Sequence, residues 1–355
     1  MRFACSLLIL GVLCFSCYAK PRGGTQIPAP ALEAGYTINT YHIGPSGPIN
    51  ATNTPFSLTT VDQSLTLADG FLLYYYNFFG QTGINPALNT INADGTMTLT
   101  GAFNSGLATA AQTSGSPPFV GIAFGCGAYF TAELSFSNEI SLSSNVVPAF
   151  YSFSLEHLVY PPGNAAQAWT GQTPPYDHFI EIDFLEWNRD QNTAPFNYGS
   201  QVHEYWGPNN GGLCPPAFTG GGYCWLSLTV PGSSIQVPKQ TDNTEYHRFA
   251  KLWIPATPTT SGSLTTYYDD VPMLGYGGGD RITYTQFTQQ APPPGIPLST
   301  VTNPWAFGIV DLQHQVPIIL GGAKTPTNLN NPNGNAVTIR SMDVWQNSSA
   351  CNLTN

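Results

Sequence analysis

The run His178-Phe179-Ile180-Glu181-Ile182-Asp183-Phe184-Leu185-Glu186-Trp187 carries three carboxylates in an otherwise apolar stretch. In an extended strand successive side chains alternate between faces, so Glu181 and Asp183 share one face while Ile182 and Phe184 pack on the other. Two carboxylates on one face of an apolar strand are costly to bury, and an ordinary core strand avoids them. Glu186 has the wrong parity for that face. A one-residue bulge near Leu185 would restore it, and bulges are common beside active sites. All three acids would then point into one cleft.

Three acids on one wall supply what a retaining glycosidase needs. One carboxylate attacks the anomeric carbon; a second, protonated, donates to the leaving oxygen and later activates water, from about 5–5.5 Å away. Like charges raise one of the pKa values and keep that acid protonated near working pH. On this reading Glu181 is the nucleophile, Glu186 the acid/base, and Asp183 the group between them that tunes and orients. The run alone leaves two other readings open: a calcium site, since calcium takes oxygen ligands, and a solvated strand face.

The elements that must hold these acids read as strands. Helical periodicity is nearly absent, and short strand-like runs separated by Gly, Pro, Asn and Ser dominate. Alternation marks Thr96–Thr100, Phe130–Phe136, Phe179–Phe184, Ile282–Thr285 and Val337–Val344. Many short strands with turn signals between them imply an all-β sandwich or barrel, which pattern alone does not separate. No internal repeat or linker divides the chain, and long polar insertions at about 188–242 and 255–300 account for its length. The expected organisation is a signal peptide over 1–19, a Pro/Gly-rich N-terminal extension over 20–55 and one β-sandwich domain over 56–355.

Composition restricts location and partners. Arg2 precedes an apolar stretch from Leu7 to Phe15, and Cys17-Tyr18-Ala19 offers a small-residue cleavage site. The stretch is too short to span a bilayer, so a soluble, secreted protein is expected. Past that segment stand Cys126, Cys214, Cys224 and Cys351, an even number in an exported chain, which suggests two disulfides. Four cysteines allow three pairings; Cys214 and Cys224 flank a Pro/Gly-rich loop and could close it, leaving Cys126 with Cys351. Charged residues are 8% of the chain, against roughly 25% in an average domain, and the net charge is −10. A lysine-poor acidic surface argues against nucleic acid or an anionic membrane as partner. Aromatics at 13% exclude a disordered chain and suit sugar rings. Asn50-Ala51-Thr52, Asn347-Ser348-Ser349 and Asn352-Leu353-Thr354 fit the N-glycosylation acceptor pattern, which matters in a eukaryotic source.

The E-x-D-x-x-E run in a β-rich, exported chain resembles the signature of glycoside hydrolase family 16, in the bulged form of its laminarinase and agarase branches. Gly127-Ala128-Tyr129-Phe130-Thr131-Ala132-Glu133-Leu134 resembles that family's G-Y-F-E-A-R strand, and Pro148-Ala149-Phe150-Tyr151 its P-A-F-W, a cleft-lining stretch. Tyr246 to Pro255 resembles F-H-x-Y-x-x-x-W-x-P, and Tyr268-Asp269-Asp270-Val271-Pro272 the following Y-x-D-G-x-P. The resemblance runs over about residues 70 to 346. It implies a concanavalin-like jelly roll and endo-hydrolysis with retention, in the roles already given to Glu181, Asp183 and Glu186. Ile180 stands where a small residue is usual, Asp270 where the turn glycine is usual, and Tyr151 where a tryptophan is usual. These departures bear on the subsites and the substrate more than on the reaction class.

Around the acids, Trp187, Trp206 and Trp253 are candidates to stack on pyranose rings, and each has a core aromatic as its plainer reading. His203 and His247 are candidates to hydrogen-bond the nucleophile or a sugar hydroxyl, with His247 favoured because it lies in a matched segment; Tyr151 completes the substrate-binding set. No cofactor is required, no metal is assigned to the site, and a structural calcium remote from the cleft is compatible with the sequence. The expected partner is a polysaccharide, with β-1,3-glucan as first guess, handled by a monomer. A lectin-like binder on the same sandwich, a transglycosylase and a structural wall or coat protein are the competing readings. Three carboxylates in register favour an enzyme over a binder, and fold alone does not decide.

Overall fold

A computed structural model describes residues 26–45, 88–102, 105–112, 119–137, 148–156, 176–186, 197–200, 202–208, 224–228, 234–236, 242–255, 262–273, 281–283, 314–322 and 334–355. Val, Ile, Thr and aromatic residues, which suit a pleated and half-buried surface, recur along the long described strands. These form two large antiparallel sheets, and the chain is an all-β sandwich.

The first sheet runs Val271–Pro272, Ser263–Tyr268, His247–Ile254, Ala128–Phe136, Asn335–Gln346, Met97–Thr100, Asn89–Ile91. Ile38–Ile43 pairs with Asn335–Gln346 alongside Met97–Thr100, so part of the stretch read as an N-terminal extension is a strand of this sheet. The second sheet runs Cys224–Leu228, Val202–Pro208, Tyr176–Glu186, Ala149–Ser154, Gln315–Leu320, Gly106–Ala108. The carboxylate run therefore lies in a central strand of the second sheet. A smaller sheet joins Ala110–Gln112, Phe119–Ala123 and Leu353–Thr354.

Alternation sorts the side chains into layers. Phe130, Phe249, Trp253 and Met342 of the first sheet meet Phe150, Ile182, Phe184, Leu185 and Ile319 of the second in the central core. The opposite face of the second sheet carries another cluster, with Tyr151, Phe153, Val316, Ile318 and Leu320 packed near Phe119 and Ala123. Behind the first sheet, Ala31 of the short helix Ala29–Glu33 and Tyr36 pack on Tyr129, Leu252 and Trp345. Where Gln315–Leu320 ends, a Cβ on Gly321 would sit 1.9 Å from the Thr100 carbonyl oxygen, so glycine is what lets the two backbones meet there.

One disulfide is present among the described residues, Cys126–Cys351, the second of the two pairings expected. It ties the entrance of the strand Ala128–Phe136 to the C-terminal segment. Cys214 and the side chain of Cys224 lie outside the described residues.

Candidate active site

Against Ala149–Ser154 the carboxylate strand pairs Ala149 with Glu186, Phe150 with Leu185, Tyr151 with Asp183, Ser152 with Ile182 and Phe153 with Glu181. One residue, Phe184, is left over: this is the expected bulge, one position before Leu185. Directly opposed residues in an antiparallel ladder share a face. Ala149, Tyr151 and Phe153 lie on one face by alternation, so Glu186, Asp183 and Glu181 lie on it with them. Phe184 and Leu185 both turn into the central core, each fully buried. The Phe184 ring stacks on Phe130 at 5.3 Å and meets Phe150 edge-on at 4.5 Å. Packing of the surplus residue thus fixes the kink that brings the last acid round to the other two.

The electrostatics of Tyr151 agrees with that placement. The Tyr151 hydroxyl has its pKa raised well above the ordinary phenol value, first by burial and then by the charges of Glu181, Asp183 and Glu186. Tyr151 stands directly opposite Asp183, with Glu181 and Glu186 on the same face. The acids differ in environment. Asp183 is 1% exposed and Glu181 9%, while Glu186 is half-buried. Burial raises the pKa of Asp183, opposed by the positive charge of Lys251. Burial lowers that of Lys251, opposed by the charge of Asp183.

The remaining candidates divide. Tyr151 stands on the acid face, opposite Asp183. His203 is paired with Glu181 across the neighbouring strand, and Trp206 with His178. The side chains of His203 and Trp206, and all of Trp187, lie outside the described residues. Trp253 is corrected: it belongs to the first sheet, faces the central core opposite Ala128 and is 1% exposed, so no sugar ring reaches it. His247 is corrected as well. It too is on the first sheet, where its Nδ1 lies 2.7 Å from Asp269 Oδ2 and its ring stacks on Tyr268. Its Nε2 lies 3.2 Å from the Asp242 carbonyl oxygen.

The reason for the His247 result is a turn. Asp269 and Asp270 both have positive φ, at 49° and 63°, where a side chain is strained and glycine is the usual solution. Asp269 accepts from the Arg248 backbone N–H, and Asp270 from the Arg248 guanidinium and the Tyr129 hydroxyl. His247 belongs to that bracing network.

Sequence reasoning missed Lys251 and Ser200, which lie beneath the acid strand. The signal for Lys251 was present: Phe249, Lys251 and Trp253 share a face, so a lysine has the parity of two core aromatics. Among the described residues no group of three His, Cys, Asp or Glu is arranged to hold a metal ion.

No protein-family profile matches the chain, and no curated protein matches it by sequence. Solved structures do align with it. β-Agarase A from Zobellia galactanivorans is 13% identical over 80% of this chain and 83% of its own, with a TM-score of 0.43. Endo-1,3-β-glucanase from Streptomyces sioyaensis is 13% identical over 80% of this chain and 89% of its own, also at 0.43. The laminarinase catalytic domain from Thermotoga maritima is 10% identical over 75% and 83%, at 0.35. The chain is similar to these structures at low identity, and what its site does is argued from its own residues.

Proposed function

We propose that the protein is a secreted, retaining endo-glycosidase acting on a β-linked polysaccharide, with β-1,3-glucan as the first substrate to try. The observation that carries the reading is the bulge at Phe184, which sets Glu181, Asp183 and Glu186 on one face of the strand, with Tyr151 opposite Asp183. Glu181 attacks the anomeric carbon. Glu186, the most open of the three, protonates the leaving oxygen and then activates water. Asp183, buried between them, holds a proton more readily than an exposed aspartate and governs the charge its neighbours feel. The disulfide and the N-terminal apolar stretch support export.

A panel of neutral β-glucans and galactans, read by reducing-end release with NMR of the first-formed anomer, tests the reading. Product should appear first with retained β configuration. Glu181→Gln should abolish release while the circular dichroism spectrum is unchanged, and Glu186→Gln should lower kcat by about 10²–10⁴. A Glu181→Gln enzyme with full activity removes the nucleophile assignment. Binding without release by the wild type favours the lectin reading.

A further inference from the structure

Lys251 lies in the central core, 1% exposed, on the strand that faces the acid strand from the first sheet. An ammonium there has lost its water, which is costly unless donors and charge are satisfied. Its Nζ donates to Ser200 Oγ at 2.8 Å and to the backbone carbonyl oxygen of Asp183 at 3.3 Å. Ser200 Oγ also donates to the Asp183 carbonyl, at 3.0 Å, and lies 2.9 Å from Thr266 Oγ1. Thr266 is the residue paired with Lys251 on the next strand. Two donors thus converge on one carbonyl of the acid strand.

That carbonyl is at the kink. On this edge the pairing of the acid strand with Val202–Pro208 ends at Ile182, and it resumes with Gly199 opposite Glu186. Between those positions the ladder is broken, and a bulge leaves backbone groups in need of other partners. Lys251 and Ser200 fill the gap from beneath. The charge that acts on Lys251 is that of Asp183.

We propose that Lys251 is a positioning residue for the carboxylate cluster: its buried ammonium clamps the bulge through the Asp183 carbonyl and presents a positive charge to the acids on the far side of the strand. The consequence for turnover rests on the glycosidase reading; the effect on Asp183 does not. Three variants separate these: Lys251→Met, which keeps length and loses charge; Lys251→Arg, which keeps charge; and Ser200→Ala, which loosens the ammonium without removing it.

Selective ¹³C labelling of aspartate carboxyls, with the Asp183 signal identified by its loss in Asp183→Asn, gives a titration curve that needs no substrate. In Lys251→Met the Asp183 midpoint should move up by about one pH unit or more, and Lys251→Arg should bring it back toward wild type. On the best polysaccharide of the panel, kcat should fall about tenfold or more while KM stays within about twofold. An unchanged midpoint in a folded Lys251→Met overturns the proposal, even if stability drops, because a packing role alone does not move it. Should Lys251→Met fail to fold, Ser200→Ala decides, with the same shifts in smaller size expected and an unmoved midpoint overturning it. If the wild type cleaves nothing on the panel, the glycosidase reading falls while the titration still judges Lys251.

Discussion

Tyr151 shows how much a single side chain reports. Its ring meets Phe153 edge-on at 5.3 Å, which a phenylalanine would preserve. Its hydroxyl lies in the field of Glu181, Asp183 and Glu186. Tyr151→Phe should therefore leave the melting temperature nearly unchanged and lower kcat by about tenfold, the scale of roughly one pKa unit of altered interaction with the acids; thermal unfolding and kinetics on the same preparation check both halves. The acids themselves were legible in the sequence because parity is a local property: Glu181 and Asp183 must share a face, and Glu186 needs one extra residue to join them. Trp253 and His247 were misassigned for the complementary reason. A motif gives the segment and not the sheet it enters, and only packing of the two sheets shows that Trp253 faces inward. Trp253→Ala should accordingly cost about 3–5 kcal/mol of stability, seen as a lower urea midpoint, with no change in the pattern of oligosaccharide products.

At the scale of the element, the bulge is held by aromatic packing from both sheets. Phe184→Ala removes the ring that Phe130 and Phe150 grip. It should cost about 3–5 kcal/mol and, in the fraction that folds, depress kcat because Glu186 is no longer held in register. Phe184→Leu should do less of both. Urea unfolding and single-substrate kinetics separate the two effects. The existence of a bulge was readable from the parity conflict, but not its position, since Phe184 and Leu185 are both apolar and either could be the surplus residue. Strand locations were readable too: Ala128–Phe136 and Asn335–Gln346 contain the runs Phe130–Phe136 and Val337–Val344. Which strand pairs with which was not. Alternation is the same in a sandwich and a barrel, and Ile38–Ile43 pairs with a segment some 300 residues away in sequence.

For the whole molecule, the Cys126–Cys351 bond closes a loop of 225 residues. Cross-links over long loops chiefly restrict the unfolded chain, and typical contributions are roughly 2–4 kcal/mol. A Cys126→Ser/Cys351→Ser pair should lower the melting temperature without altering kcat at a temperature where the variant stays folded. His314 adds to the closure, with Nδ1 at 2.7 Å from Glu156 Oε1 and Nε2 at 2.9 Å from the Cys351 carbonyl oxygen.

The last long strand, Asn335–Gln346, is an interior member of the first sheet, with Ala128–Phe136 on one side and both Met97–Thr100 and Ile38–Ile43 on the other. In sequence that strand comes after every other strand of the two large sheets, so synthesis makes it last among them. Until it arrives, Ala128–Phe136 on one side and Met97–Thr100 and Ile38–Ile43 on the other have no ladder to join them. Closure of the first sheet thus waits on a late strand, slow as such distant pairings are, and a chain stopped near residue 330 should stay protease-sensitive however long it is incubated. A polypeptide built this way keeps the two halves of its first sheet apart until that one strand is made, so the order of synthesis sets the order in which the sheet can close.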